Sequence, residues 1–259
     1  MKVDGIAGKV VIVTGAGSGM GRAMVEEFTG ADAKVAALDI NLEAAKETVA
    51  QLDRPDAALA IQGDVADPSS VESAVGAVLE WGGRVDVLCN NAGIMDDFLP
   101  AHETPPELWN RVLAVNTTGP YLMSRAVIPD MLSRSSGVII NTVSFSGFSA
   151  AGGGAAYTAS KHGALGLTRQ LTFDYGKRGI RCNAICPGAT KTAIIEAQMG
   201  EGWTSDVEGE IARTPAGRWG APSEIARLAL YLASDDAAFI HGAAVVIDGG
   251  WLTAARNAL

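Results

Sequence analysis

A strand-like run followed at once by closely spaced glycines is the feature that most constrains the fold. Residues 9–14 read Lys-Val-Val-Ile-Val-Thr, a β-branched run typical of a buried parallel strand, and an amphipathic helical pattern covers 22–28. Gly15, Gly19 and Gly21 stand between the two. Glycines at this place allow a tight turn, and the N-terminus of the following helix is suited to a pyrophosphate. A plain strand–helix turn is the alternative, but the placement between strand and helix favours a dinucleotide site.

The rest of the chain alternates strand-like and helix-like segments. Further strands are predicted at 34–38, 57–61, 85–89, 138–143, 179–185 and 243–250. Helices are predicted at 42–52 with the cap Asn41, from Pro68 with the cap Asp67, in a long stretch capped by Thr104, from about Ala155, and at 222–232. The chain has 259 residues, of which 48% are hydrophobic, and it contains no long linker. Together with the alternation of strands and helices, this predicts one α/β domain over 1–259.

An aspartate at the end of the second strand indicates which dinucleotide is bound. Asp39 stands 20 positions beyond Gly19, where a carboxylate can accept hydrogen bonds from both ribose hydroxyls of an adenosine and would repel a 2′-phosphate. The neighbouring Ser18, Ile40 and Asn41 are not basic. A surface aspartate is the alternative, but the spacing favours NAD over NADP.

Other strand ends extend the predicted cofactor site. Asp64 follows the third strand and is placed to bond the adenine amino group, with Val65 packing beside the ring. After the fourth strand, the small residues Asn91, Ala92 and Gly93 leave room for a cofactor to pass over the strand end.

The stretch 144–161 carries the residues expected to perform chemistry. Tyr157 and Lys161 are four apart on a predicted helix, so both side chains lie on one face. An ammonium beside a phenol favours the phenolate, which predicts a tyrosine pKa below its free value of about 10 and proton transfer near neutrality. Ser144 ends a strand on the ligand side and is placed to bond a substrate oxygen. Such a pair also arises by chance, and the glycines at 152–154 fit a merely flexible loop.

Composition excludes several classes of function. The net charge of −9 opposes nucleic-acid binding. Cys89, Cys182 and Cys186 lack the spacing of a disulfide framework or a zinc site, and no metal site is expected. The sequence contains no run of 18 uncharged apolar residues and no apolar signal region near Met1, so we expect a cytoplasmic protein with no membrane partner.

Together these residues resemble the short-chain dehydrogenase/reductase family, in its short single-domain form, over nearly the whole chain. The similarity rests on the order and spacing of Thr14-Gly15-x-x-x-Gly19-x-Gly21, Asn90-Asn91-Ala92-Gly93, Asn116, Ser144, Tyr157-x-x-x-Lys161, Pro187-Gly188-x-x-x-Thr192 and Asp248-Gly249-Gly250. Ser144 precedes Tyr157 by 13 residues, the family's usual gap, whereas the rival Ser146 lies two residues too late. Met20 stands where Ile is more usual in the family.

The resemblance implies a fold and a reaction. The fold is a Rossmann-type doubly wound domain, a seven-stranded parallel sheet with helices on both faces, commonly assembled as a homotetramer. The reaction is hydride transfer between NAD and a secondary alcohol or ketone, with Tyr157 as acid/base. Lys161 would hold the nicotinamide ribose and lower the tyrosine pKa, Ser144 would orient the substrate, and Asn116 would position a relay water. The implied cofactor-binding residues are Gly15, Ser18, Gly19, Met20, Asp39, Ile40, Asp64, Val65, Asn91, Ala92, Gly93, Tyr157, Lys161, Pro187, Gly188, Thr190 and Thr192.

The substrate pocket is expected to be apolar. Its predicted wall consists of Ile94, Met95, Phe145, Ser146, Phe148, Ala151, Ala189, Ile194, Met199 and Trp203. These residues offer no anchor for a carboxylate or phosphate, which favours an uncharged small-molecule substrate. The segment 189–213 departs from the strand–helix rhythm and is predicted to be a mobile lid, with a fixed helical insertion as the alternative. The tail from Trp251 is a candidate pocket cover or interface.

Two other classes of function remain open from the sequence. A 3-oxoacyl-carrier reductase of lipid synthesis would need NADP and a basic surface for its acidic carrier, and both Asp39 and the net charge of −9 oppose it. A non-catalytic dinucleotide-binding scaffold would be expected to lack one of Asn116, Ser144, Tyr157 and Lys161, and all four are present.

Overall fold

Seven parallel strands form one sheet in this protein. The computed structural model of the chain describes residues 3–150, 152–192 and 204–254, with the backbone alone at 204–207. The order across the sheet is β3-β2-β1-β4-β5-β6-β7. The strands are β1 Val10–Thr14, β2 Lys34–Asp39, β3 Ala58–Gln62, β4 Val87–Asn90, β5 Gly137–Thr142, β6 Ile180–Pro187 and β7 Ala244–Ile247.

Helices cover both faces of the sheet. They are α1 Gly19–Gly30, α2 Leu42–Ala50, α3 Pro68–Gly82, α4 Pro106–Leu113, α5 Gly119–Ser133, α6 Ala155–Tyr175, α7 Thr204–Arg213, α8 Pro222–Ala233 and α9 Trp251–Ala254. The predicted caps Asn41 and Asp67 accept hydrogen bonds from the first-turn N–H groups of α2 and α3. The predicted doubly wound α/β fold is therefore confirmed.

The alternation of side chains along β1 explains why the hydrophobic core has two layers, one on each face of the sheet. Val11 and Val13 point to one face and pack with α1 and α8, whereas Val10 and Ile12 point to the other and pack with α3 and α5. All four valine and isoleucine side chains are buried, because a parallel sheet covered on both sides has no solvent face. The β-branched run at 9–14 is thus consistent with a central strand.

The long helical stretch predicted after Thr104 has a different beginning and an interruption. Thr104 is not a helix cap: its hydroxyl donates to the carbonyls of Leu99 and Pro100, and α4 begins at Pro106 after Pro105. A proline at the first helical position lacks only an N–H that would have no partner there, so it starts the helix without a threonine cap. A π-helical segment, Ala114–Thr118, then separates α4 from α5.

The strand order reverses between β1 and β4, and this reversal locates the site. The chain continues from β1 toward β2 and β3 on one side and from β4 toward β5 on the other. The loops that leave the carboxyl ends of β1 and β4 therefore diverge and leave a crevice between them, which is where open α/β sheets bind ligands. Within 3–150, 152–192 and 204–254, the structure has no helix long and apolar enough to span a membrane and no cluster of metal-binding side chains.

Candidate active site

The glycine-rich loop brings the N-terminus of α1 to the crevice. Gly15 adopts a left-handed backbone conformation with φ of 66°, and a side chain there would meet the backbone of Ala92 at 2.9 Å. The Ser18 side chain makes no capping hydrogen bond to α1. The first-turn N–H groups of α1 consequently remain available to an anion at the crevice.

Asp39 is held at the end of β2 by the backbone around it. One carboxylate oxygen accepts a hydrogen bond from the N–H of Gly17 at 2.8 Å, and the other accepts one from the N–H of Asn41 at 2.9 Å. Both oxygens keep lone pairs, so two ribose hydroxyls can still donate to them. Asp39 lines a cavity of about 390 Å³ together with Ile40, Asp64 and Val65.

The predicted cofactor residues divide between two adjoining cavities. The cavity of about 390 Å³ is lined by Gly15, Ser18, Gly19, Met20, Asp39, Ile40, Asp64, Val65, Asn91, Ala92, Gly93 and Thr192. A second cavity, of about 190 Å³, is lined by Tyr157, Lys161, Pro187, Gly188, Thr190 and Thr192, as well as by Met20, Asn91 and Gly93. The shared lining residues join the two cavities into one path. Arg111, on α4, also lines the first cavity and was missed from the sequence because it lies far from every glycine-rich motif.

Tyr157, Lys161 and Ser144 meet in the second cavity. The Ser144 side chain interacts with the Tyr157 hydroxyl and lowers its pKa, and the Ser144 oxygen accepts a hydrogen bond from the N–H of Ser146 at 3.1 Å. The Lys161 ammonium lies 5.3 Å from the centre of the Tyr157 ring and donates to the carbonyl of Thr142 at 3.1 Å. The helix and the end of β5 thus place a phenol, a hydroxyl and an ammonium around one space.

The predicted lowering of the tyrosine pKa is wrong for this structure. Burial raises the pKa of Tyr157 to about 12, against a lowering effect of the Ser144 hydrogen bond, and the charge of Asp96 raises it further. Burial also lowers the pKa of Lys161 to about 8. Both shifts have the same cause, because a poorly solvated site disfavours the charged form of each group.

Asn116 is fixed by the loop that follows β4. Its side-chain oxygen accepts from the N–H of Ile94 at 2.8 Å, and its amide nitrogen donates to the Ile94 carbonyl at 2.8 Å and to the Ser160 hydroxyl at 3.1 Å. The residue lies in the π-helical segment, a local widening that is frequent at functional sites. Asn116 therefore ties α6 to the loop that lines both cavities.

Only part of the predicted substrate wall lines the second cavity. Ile94, Met95, Phe145 and Ala189 do, whereas Ser146 is fully buried behind it and Phe148 is 42% exposed to solvent. Ala151, Ile194, Met199 and Trp203 lie outside the described residues.

Several lining residues of the second cavity were not foreseen. They are Phe98, Gly152, Glu210 and Trp219; Trp251, the start of the predicted cover, lines the cavity as well. Trp251 packs against Phe145 with ring centres 5.4 Å apart, in agreement with a pocket cover at this end of the chain. The indole and carboxylate groups come from distant segments without a motif, so spacing in the sequence carries no sign of them.

Comparison with known proteins identifies the family. A family model described as "Enoyl-(Acyl carrier protein) reductase" matches residues 15–252. 3beta-hydroxysteroid dehydrogenase 2 of Eggerthella lenta is 40% identical over 256 residues, with 95% of each chain covered. The chain belongs to the short-chain dehydrogenase/reductase family.

Solved structures of family members agree with this assignment. The crystal structure of levodione reductase has a TM-score of 0.91 and 37% identity, covering 96% of this chain and 99% of that one. A 3-ketoacyl-(acyl-carrier-protein) reductase from Brucella melitensis, complexed with NADH, has a TM-score of 0.88 and 33% identity, covering 95% and 99%. The expectation of an oxidoreductase of this family is confirmed.

Proposed function

We propose that the protein is an NAD-dependent oxidoreductase that interconverts a secondary alcohol and a ketone. The observation that carries this proposal is the meeting of Tyr157, Ser144 and Lys161 in a cavity that adjoins the longer crevice. The residues of 1–259 would act as one dinucleotide-binding and catalytic domain.

Both the position of the crevice in the sheet and the chemistry of its lining residues fit a dinucleotide. Uncapped N–H groups of α1 favour a pyrophosphate, and the Asp39 carboxylate favours ribose hydroxyls. Asp64 and Val65 line the same cavity as Asp39, as expected for an adenine site. The bound NAD would accept a hydride from an alcohol, and NADH would donate one to a ketone.

The side chains of this protein would handle the proton. In oxidation, Tyr157 accepts the proton of the substrate hydroxyl, and in reduction it returns a proton to the carbonyl oxygen. Ser144 donates a hydrogen bond to the same substrate oxygen and orients it. Lys161, buried beside the ring, opposes the negative charge of the phenolate, which is neutralised when Tyr157 takes up the proton in oxidation and forms when Tyr157 gives up its proton in reduction.

The substrate we propose is an uncharged alicyclic alcohol or ketone. Phe145 and Trp251, with their ring planes at 37° to each other, give the cavity an aromatic wall, and Trp219 adds a second indole. Glu210 lines the same cavity and would repel a carboxylate, sulfonate or phosphate.

The test is a panel of secondary alcohols with NAD, followed by the absorbance of NADH. We expect cyclohexanol-type alcohols to give a higher kcat/KM than short linear ones, and Trp251→Ala to reduce this preference. A matched control is Trp109→Ala, because Trp109 lies on the outer surface of α4. Higher activity with a 3-oxoacyl thioester of an acidic carrier would favour the carrier reductase instead.

We also propose a homotetramer in the cytoplasm. Tyr121, Phe173 and Phe239 are large apolar side chains that lie exposed on this single chain, as expected of surfaces that other copies cover. The three cysteines are free and buried, which fits a reducing compartment. Light scattering after size-exclusion chromatography measures the number of copies.

A further inference from the structure

Asp96 is a buried carboxylate at the start of the helix that carries Tyr157. It follows β4 in the loop that also contains Gly93 and Ile94, and it is only 2% exposed. One oxygen accepts from the N–H of Gly154 at 2.7 Å, and the other accepts from the N–H of Tyr157 at 2.9 Å. The first oxygen also accepts from the N–H of Phe98 at 3.4 Å.

These contacts replace a cap that α6 does not have of its own. The residue at the N-cap of α6 is Gly154, which has no side chain to accept from the first-turn N–H groups. A carboxylate at a helix N-terminus also interacts favourably with the helix dipole. Here it comes from a distant segment, 58 residues before Gly154. The cap thereby joins the loop that lines both cavities to the turn that holds Tyr157.

The glycines before α6 make room for this arrangement. A side chain at Gly154 would lie 2.7 Å from the Asp96 carboxylate, and one at Gly153 would lie 2.5 Å from the Tyr157 ring. Both distances are shorter than a non-bonded contact permits. The glycine run is therefore required for close packing rather than for flexibility.

We propose that Asp96 is a positioning residue, which caps α6 from the loop after β4 and so fixes Tyr157 relative to both cavities. The inference rests on the proposed function, in which Tyr157 transfers the substrate proton.

Asp96 also contributes charge to the surroundings of Tyr157. Among the described residues, the charged groups around the phenol are Asp96 from the loop, Lys161 from its own helix and Glu210, which lines the same cavity. The Cys186 thiol of β6 lies beside Lys161, and the neutral Ser144 side chain lies at the end of β5. Asp96 raises the pKa of Tyr157, and removal of its charge should therefore lower that pKa. If Asp96 only capped α6, the removal of its charge would not be expected to lower the pKa of Tyr157.

The experiment compares Asp96→Asn and Asp96→Ala with the matched control Asp97→Asn, which removes the same charge from the exposed neighbour. Asparagine keeps one acceptor oxygen but presents an NH2 group to the second N–H. The first readout is the ionisation of Tyr157, measured by ultraviolet absorbance as the difference between each protein and its Tyr157→Phe counterpart. The second is hydrogen exchange of the first turn of α6. Neither readout requires a substrate, so both can be measured even if the proposed function is wrong.

We expect Asp96→Asn to lower the midpoint of Tyr157 ionisation and to accelerate hydrogen exchange in the first turn of α6. Asp97→Asn should match the unmodified protein in both measurements. Asp96→Ala should accelerate exchange further and reduce kcat by about ten- to a hundredfold, with a smaller change in KM. If Asp96→Ala does not fold, Gly154→Ala, which displaces the carboxylate without removing it, should also accelerate exchange at Tyr157. Equal ionisation midpoints and equal exchange in Asp96→Asn and Asp97→Asn would overturn the proposal. Lack of turnover in every protein, with these differences present, would instead contradict the proposed function.

Discussion

The ammonium of Lys161 lies 5.3 Å from the centre of the Tyr157 ring, one helical turn away on α6. It is only 5% exposed and is anchored to the carbonyl of Thr142 at the end of β5. The helix and the strand therefore both hold the lysine in place. The effects of substituting Tyr157 and of substituting Lys161 can therefore be measured separately.

Tyr157→Phe should abolish turnover while NADH still binds. Phenylalanine keeps the ring and loses only the hydroxyl that exchanges the substrate proton. We expect kcat to fall by about 10²–10⁴-fold, the usual contribution of general acid–base catalysis. Steady-state rates and NADH fluorescence titration measure the two effects. Turnover comparable to that of the unmodified protein would rule out Tyr157 as the acid/base.

Lys161→Ala should weaken NAD binding as well as turnover. The proposed role of the ammonium is to bond the nicotinamide ribose and to oppose charge on the phenol, and both are lost together. Calorimetric titration with NAD measures the affinity, and Lys177→Ala, at an exposed position, serves as the control. An unchanged affinity for NAD would contradict the contact with ribose.

Lys161 should also make folding stability depend on pH. Burial lowers its pKa to about 8 from an ordinary 10.5. Between these values the unfolded chain binds the proton and the folded chain does not, so the free energy of unfolding should rise with pH, by up to about 1.4 kcal/mol per pH unit. Below pH 8 both states are protonated, and the cost of burying the charge applies in full.

The measurement is urea denaturation of the unmodified protein and Lys161→Met at intervals from pH 7 to 10. Methionine cannot be charged, so the variant should gain stability relative to the unmodified protein at pH 7, and this advantage should shrink as the pH rises. Lys177→Met should show no such trend. A stability difference between Lys161→Met and the unmodified protein that is constant with pH would show that Lys161 is not buried as a charged group at neutral pH.

The sequence predicted the sheet and the proximity of Tyr157 and Lys161 because these depend on local pattern. The β-branched run at 9–14 and the spacing of Tyr157 and Lys161 are each visible within one segment. Asp96 was not foreseen, because its function arises from contact with Gly154 and Tyr157, far along the chain. The tyrosine pKa was predicted in the wrong direction, since only the fold shows that burial and the charge of Asp96 together outweigh the lowering effect of Ser144.

That the segment 189–213 is a mobile lid stays a prediction, because residues 193–203 lie outside the described residues. Its later part, α7, places Glu210 at the second cavity and buries Ile211. If the segment closes over NAD and substrate, hydrogen exchange in 204–213 should slow when both are bound. Residues 180–185 of β6, which line neither cavity, should show no change. Equal exchange with and without ligands would favour the alternative of a fixed insertion.

The choice of cofactor should follow from Asp39. A 2′-phosphate on the adenosine would place like charges close together in a partly desolvated cleft, whereas a 2′-hydroxyl can donate to the carboxylate. A hydrogen bond to a charged group contributes about 1.5–3 kcal/mol, and about 1.4 kcal/mol is a tenfold change. We therefore expect NAD to exceed NADP by at least about tenfold in kcat/KM. Asp39→Ala combined with Ile40→Arg should narrow or reverse this ratio, because it removes the repulsion and adds a partner for phosphate.

Arg111 provides the control for this prediction, since it is a positive side chain that lines the same cavity. If Asp39 decides the preference, Arg111→Ala should lower the affinity for both dinucleotides and leave their ratio nearly unchanged. Rates with each cofactor at saturating substrate, measured on the three proteins, separate the two residues. Equal use of NAD and NADP by the unmodified protein would mean that the Asp39 carboxylate does not face the 2′ position.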